Sequence, residues 1–291
     1  MMRVRFVKKF YCILVVFLVS LKNVAAHVLD VDTTKLIASL TLKNNASELN
    51  TSEFKNLVED NNVRYPESLQ NERDQSLEYI KKFSDKKRDY LLNIYQQGQK
   101  YFPKIVNILK QFQLPEELKV LMALESGFNG NAISKAGAVG YWQIMSVVAK
   151  EYGLHISSSK KVHSDKLKKK DDRKNFDKST LFAAKYFRDS QSDLNSDLLL
   201  MVASYNCGTG RVLNAIKKSG KSDARFWDIK KYLPAETKKY VMNFIALSVI
   251  FENFEKFSNN QLVFLPLTNE TTTTDSPVYE APVQEIAPAV D

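Results

Sequence analysis

The stretch LMALESGFNGNAISKAGAVGYWQIM, residues 121–145, changes character in the middle. Its first four residues are apolar, Glu125 follows, and from Ser126 the composition turns to Gly, Asn and Ala, which suits turns and close backbone approach better than regular helix. Leu121–Leu124 therefore reads as the buried end of a helix, and residues 127–143 as an irregular segment that the helix feeds. A carboxyl at that junction, held against apolar neighbours, loses hydration of its charged form, so its pKa rises and it can stay protonated near neutral pH. The plainer alternative for Glu125 is a helix-terminal carboxylate facing water. From Ser126 to Ile144 there is no Asp or Glu, so a second carboxylate would have to come from elsewhere in the chain.

Working upstream, Pro115 suits a helix start, where its missing N–H has no partner to lose. Glu116 and Glu117 then favour the positive helix end, and Leu118, Val120, Leu121 and Leu124 fall on one face as far as about Glu125. Pro103 punctuates the chain in the same way. Between Ser76 and Phe102, Leu77, Ile80, Phe83, Tyr90, Leu91, Ile94 and Tyr95 recur mostly at helical spacing, predicting one or two amphipathic helices. Downstream, helices are expected near 146–152, 178–194, 197–206, 210–218 and 235–257. The fold class is mainly α.

The ends read differently. Arg3, Arg5, Lys8 and Lys9 precede an apolar run from Phe10 to Leu21, then Lys22 and the small residues Ala25-Ala26. That is the grammar of a signal peptide cut after Ala26, and the run is shorter than the roughly 20 residues a membrane-spanning helix needs, so no integral anchor is expected afterwards. Loss of those five basic residues takes the formal charge of the 291-residue chain from +9 to +4. Much of the basicity is thus an export label, and nucleic acid is not needed to explain it. Cys12 lacks the small residues that precede a lipidated cysteine, and Cys207 alone cannot form an internal disulfide.

Residues 27–75 are polar with little periodicity and read as loosely ordered; 76–257 hold the folded domain; 258–291 read as a disordered acidic tail. Between Lys160 and Lys174 lie eight Lys or Arg against three Asp. This link is read as a solvated loop, with weak attraction to an anionic surface as its minor functional alternative.

Together with ASYNCGTGRV (203–212) and LPAETKKYV (233–241), the first stretch resembles the catalytic domain of lytic transglycosylases, nearest the branch of membrane-bound lytic murein transglycosylase D. The three blocks stand in the family's order, and the likeness covers about residues 76–255. It implies a goose-lysozyme-like helical fold, with the Gly-rich segment beside an active-site cleft and no metal or other cofactor. It implies cleavage of the β-1,4 linkage between N-acetylmuramic acid and N-acetylglucosamine in peptidoglycan. Glu125 would protonate the linkage oxygen and then act as base on the sugar's own 6-hydroxyl, closing a 1,6-anhydro ring. Ordinary glycosidases pair two carboxylates instead. Cys207 and Gly130 depart from the family's usual Ala and Pro.

By the same resemblance Ser126, Ser134, Gln143 and Met145 would line sugar sites, Tyr205 and Asn206 would flank the scissile linkage, and Tyr240 would hydrogen-bond Glu125. Amides and hydroxyls suit sugar hydroxyls and acetamido groups, while aromatic and thioether surfaces suit apolar sugar faces. Taken singly, each has a structural alternative: Tyr240 as helix core, Met145 as gap-filler, Gln143 as a turn residue. Two other functions compete, a goose-type muramidase in which water attacks and a glycan-binding protein on an inactive fold. An exported chain would work in the periplasm or be secreted, on peptidoglycan strands; its oligomeric state is left open.

Overall fold

The computed structural model describes residues 59–156 and 171–265. The signal-peptide reading, the first part of the polar leading segment, most of the Lys-rich link and the acidic tail beyond 265 lie outside the described residues.

Eleven α-helices carry the described chain: α1 Arg73–Lys86, α2 Arg88–Gly98, α3 Phe102–Gln111, α4 Leu121–Ser126, α5 Ser146–Glu151, α6 Phe176–Asp193, α7 Leu198–Cys207, α8 Thr209–Ser219, α9 Phe226–Ile229, α10 Ala235–Glu252 and α11 Phe254–Ser258. Short 3-10 turns at Glu67–Glu72, Glu116–Val120, Asp172–Lys174 and Lys230–Tyr232 join them, and no strand occurs among the described residues beyond isolated bridges. The mainly α class expected from the sequence is the one observed.

The centre of the molecule is α10. Phe244, Ile245, Leu247, Val249 and Ile250 are fully buried, so its faces meet different partners: α1 on one side, α7 on another, and α4 near its start. From Val241 to Phe251 the helix is apolar nearly all round and has to be enclosed in this way. Each such side chain withdrawn from water contributes about 1.5–3 kcal/mol. Helix α7 is equally enclosed, with Leu198 to Ser204 buried, and its Asp197 cap accepts from Leu200 N at 2.9 Å. These two helices fix the positions from which Tyr205, Asn206 and Tyr240 reach inward.

Three parts of the sequence reading need correction. Residues 62–75 are not loose: Val63, Tyr65 and Leu69 are buried, and Val63 N donates to Val263 O at 2.8 Å. Arg73 donates to Val63 O at 2.9 Å and to Leu265 O at 2.5 Å, while Asn253 Nδ2 donates to Arg64 O at 2.6 Å. Side-chain clamps of this kind leave no hydrophobic period to read. By the same contacts the ordered chain continues past 257, and Val263 is buried. Near the Lys-rich link, Arg173 is not solvated but buried; it pairs with Asp171 at 2.7 Å and donates to Ile144 O at 3.1 Å.

Candidate active site

Helix α4 stops just after Glu125 for a local reason. Gly127 adopts φ +58 and ψ +37, a left-handed position that costs glycine little, and its N–H donates to Ala123 O at 3.0 Å. Phe128, also left-handed at φ +63, donates to Met122 O at 3.5 Å. The chain therefore leaves the helix abruptly and Glu125 is left half-buried at its end.

Tyr240 crosses to this carboxyl from α10, its hydroxyl donating to Glu125 Oε1 at 2.5 Å. Burial is the largest influence on Glu125; against the lowering effect of the Tyr240 hydrogen bond and with the nearby negative charge of Glu236 also raising it, the pKa is pushed up to about 7. Tyr240 and Tyr205 are both raised well above the ordinary phenol value, by burial first and then by the negative charge on Glu125. Both phenols stay protonated as Glu125 titrates, so the Tyr240 hydroxyl remains a fixed donor to it.

The Gly-rich segment is tied down by its own groups. Ser126 Oγ donates to Tyr141 O at 2.7 Å, joining the two ends of the segment beside Glu125. Ser134 N donates to Ala138 O at 2.9 Å, and Ser134 Oγ accepts from Ala138 N at 3.0 Å. Gln143, at φ +48, donates its amide Nε2 to Gly140 O at 2.9 Å and Ala132 O at 3.2 Å. Its amide nitrogen is thus occupied in holding the loop, as the turn-residue alternative has it. Trp142 is fully buried, with its indole N–H on Thr180 Oγ1 at 3.1 Å.

Tyr205 bridges α7 to this loop by donating to Trp142 O at 2.7 Å, while its ring stacks on Phe187 at 5.0 Å and meets Tyr186 edge-on at 5.4 Å. Asn206 Oδ1 accepts from Thr237 Oγ1 at 2.8 Å, locking the end of α7 to the start of α10. Met145 caps α5 and is 42% exposed, close in sequence to exposed Val147. Glu125, Tyr240 and Tyr205 are brought together; Ser126, Gln143 and Asn206 act in the frame around them. Ser134 lies in the segment's tight turn, and Met145 offers an open apolar surface at its far end.

Sequence reasoning missed Glu236, Thr237, Trp142 and Arg173. Glu236 precedes Tyr240 by one helical turn, so once Tyr240 is aimed at Glu125 the same face brings Glu236 near. The other three were legible only as an apolar or polar residue with no stated partner. Among the described residues no group of three or more His, Cys, Asp or Glu is placed to hold a metal, and no helix is long and apolar enough to cross a membrane.

Residues 105–227 match the family model of the Transglycosylase SLT domain. Over 223 residues the chain is 33% identical to membrane-bound lytic murein transglycosylase D of Escherichia coli K12, an alignment covering 74% of this chain and 44% of that protein. It thus spans less than half the length of that relative. A putative tributyltin chloride resistance protein of Alteromonas sp. strain M-1 is 31% identical over 116 residues, covering 40% of this chain and 51% of its own. Among solved structures, the lytic transglycosylase Slt of Pseudomonas aeruginosa aligns with a TM-score of 0.39 at 22% identity, over 56% of this chain and 25% of its own. The 70 kDa soluble lytic transglycosylase Slt70 of Escherichia coli aligns at 0.40 and 19% identity, over 54% and 25%. Two of the three sequence blocks, 121–145 and 203–212, lie inside the matched residues 105–227 and the third, 233–241, lies just beyond them; the chain carries a transglycosylase SLT domain and belongs to the lytic transglycosylase family.

Proposed function

We propose that the chain is a peptidoglycan lytic transglycosylase, exported to the periplasm or beyond, that cleaves the β-1,4 bond between N-acetylmuramic acid and N-acetylglucosamine. The observation that carries this reading is Glu125: a half-buried carboxyl with a pKa of about 7 and a tyrosine hydroxyl on one oxygen. Such a group is protonated often enough near neutral pH to give a proton, and its carboxylate is stabilised enough to wait for one. Glu125 donates its proton to the linkage oxygen as the bond from that oxygen to the muramic C1 breaks. The carboxylate left behind then takes the proton of the muramic 6-hydroxyl, whose oxygen bonds to C1. Glu125 ends protonated and no water is consumed. In this reading Met145 and the Gly-rich loop face the sugars, and Tyr205 and Asn206 hold the far wall.

Hydrolysis is the specific alternative, because Glu236 supplies a carboxylate whose charge is felt at Glu125 and which could activate water. Digestion of purified sacculi followed by mass analysis of the released muropeptides separates the two. Anhydro-muramic ends, lighter by one water than reducing ends, are expected; reducing ends alone would reassign the chain as a muramidase.

A further inference from the structure

Helix α10 opens with Ala235, Glu236 and Thr237. Glu236 is exposed and its charge reaches Glu125, while Tyr240, one turn further on, puts its hydroxyl on the same carboxyl. Thr237 stands between these two and is 1% exposed. A threonine inside a helix commonly returns its hydroxyl proton to a carbonyl one turn earlier. That of Thr237 leaves its own helix and goes to Asn206 Oδ1 at 2.8 Å.

A second acceptor lies within reach of the same hydroxyl, the Cys207 sulfur. Burial pushes the Cys207 thiol up, and the lowering influences of the Thr237 hydroxyl and the Arg211 charge do not reverse this, so the thiol is uncharged near neutral pH. A neutral thiol is a weak acceptor and an amide oxygen a good one, so the single proton of Thr237 belongs to Asn206. Turning the amide over would bring its own N–H against the hydroxyl and leave that proton to the weaker acceptor, so one orientation of Asn206 is selected. In that orientation the oxygen faces inward. Asn206 is half-buried, its nitrogen has no partner among the described residues and is not enclosed. The neighbouring Tyr205 is close enough to Glu125 to feel its charge, so this open donor stands at the edge of the candidate site.

We propose that Thr237 is a positioning residue: its hydroxyl holds the Asn206 amide with the oxygen inward and the nitrogen outward, so that Asn206 offers a donor to an acetamido oxygen of the strand in the cleft. The inference rests on the function proposed above and adds to it a residue that touches no sugar and acts through one that does. Amide and hydroxyl come from different helices, so the end of α7 can present its donor only while the start of α10 is in place.

The test is a cycle of variants assayed on soluble glycan strands, with thermal unfolding run on each: Thr237→Val, which keeps the shape and loses the hydroxyl; Thr237→Ser, which keeps the hydroxyl; Asn206→Ala; and Thr237→Val combined with Asn206→Ala. An acetamido oxygen keeps its charge as the linkage breaks, so the loss should fall on KM, with kcat/KM about tenfold lower in Thr237→Val, kcat nearly unchanged, and Thr237→Ser within about threefold of the parent. Added to Asn206→Ala, Thr237→Val should cost less than about twofold more, because the hydroxyl then has no amide to hold. The alkaline limb of the pH profile should stay in place, since nothing around Glu125 has changed. Losses that multiply in the double variant, a Thr237→Ser as poor as Thr237→Val, or no loss in either would overturn the inference. So would a fall in kcat with a displaced alkaline limb, which would mean that Thr237 packs α10 and acts through Tyr240. Should Thr237→Val not fold, Thr237→Ala takes its place in the cycle. Product masses read the reaction separately: reducing ends with the coupling intact would fail the proposed reaction and leave the role of Thr237, whereas a folded parent that cuts no strand would sink both.

Discussion

The Tyr240 hydroxyl reaches Glu125 Oε1 at 2.5 Å across 115 positions of sequence, joining the last of the three sequence blocks to the first. The contact acts on the carboxylate more than on the acid, because it lowers a pKa that burial has raised. Its removal has two separable effects. Tyr240→Phe keeps the ring packed against α10's neighbours and takes away the donor, so turnover on sacculi should fall about ten- to a hundredfold while the fold is kept. The pH above which activity declines should move upward, since the lowering influence is gone. Unchanged turnover together with an unchanged pH profile would leave Tyr240 a core residue and detach it from the chemistry.

Glu125→Gln should abolish turnover, because an amide of the same shape cannot give and recover a proton. The same change has a predicted effect on stability. The Glu125 carboxyl has a folded-state pKa of about 7 against an ordinary 4.5. Below the lower value both states are protonated. Between the two only the unfolded chain ionises, so stability falls as pH rises, and above about 7 the deficit is constant. Relative to the parent, the variant should therefore gain roughly 1–3 kcal/mol above pH ~7 and nothing near pH ~4. Thermal unfolding at both ends of the range measures it; a variant less stable than the parent at the alkaline end would contradict the buried-carboxyl account.

How much of this was legible in the sequence follows from what kind of signal each feature leaves. Helices α1, α2, α6, α7, α8 and α10 were visible because one apolar face repeats, or because α7 and the part of α10 from Val241 onward are almost wholly apolar. Pro234, which caps α10, and Pro103, in the first turn of α3, marked their starts. The segment from Glu116 was read as one helix to Glu125 but begins as a 3-10 turn, and the tail of the last helix breaks at Asn253. Such local changes of pitch leave no mark on hydrophobic spacing. The Arg73 and Asn253 clamps were invisible for a different reason: they join backbone carbonyls far apart in sequence, and a carbonyl has no letter. Of the site, Glu125 and Tyr240 followed from the resemblance, and the contact between them is what the structure contains. Gln143 stands differently, its amide nitrogen spent on two loop carbonyls.

Glu236→Gln offers a change of opposite sign to Tyr240→Phe. Glu236 is exposed at the start of α10, and its charge raises the Glu125 pKa. Neutralising it should move the alkaline decline in activity downward, by a fraction of a pH unit, and the difference should shrink in high salt because exposed charges are screened. If Glu236 instead activates water, the variant should lose most of its turnover and its products should change from reducing to anhydro ends. A pH profile and a product mass spectrum taken on one preparation distinguish these outcomes.

The last prediction tests what holds the Gly-rich loop in place. Gly140 has φ +87, and a Cβ built there would lie 1.9 Å from the backbone oxygen of Arg173. The obstacle is backbone, and it belongs to a residue fixed by its pair with Asp171 and its bond to Ile144 O, so it cannot swing aside. Gly137, three residues earlier at φ +85, has nothing within 4 Å of the same position. Alanine at either site incurs the strain of a left-handed backbone, roughly 1–2 kcal/mol. Only Gly140→Ala adds a collision, which should bring its cost to about 3 kcal/mol or more. Its effect on turnover should be larger too, because Gly140 O holds Gln143 and the neighbouring Trp142 O receives Tyr205. Chemical denaturation of the two alanine variants, read beside their rates on sacculi, measures the difference. Equal losses at the two positions would mean that backbone strain alone matters and that Arg173 does not set the loop against the cleft.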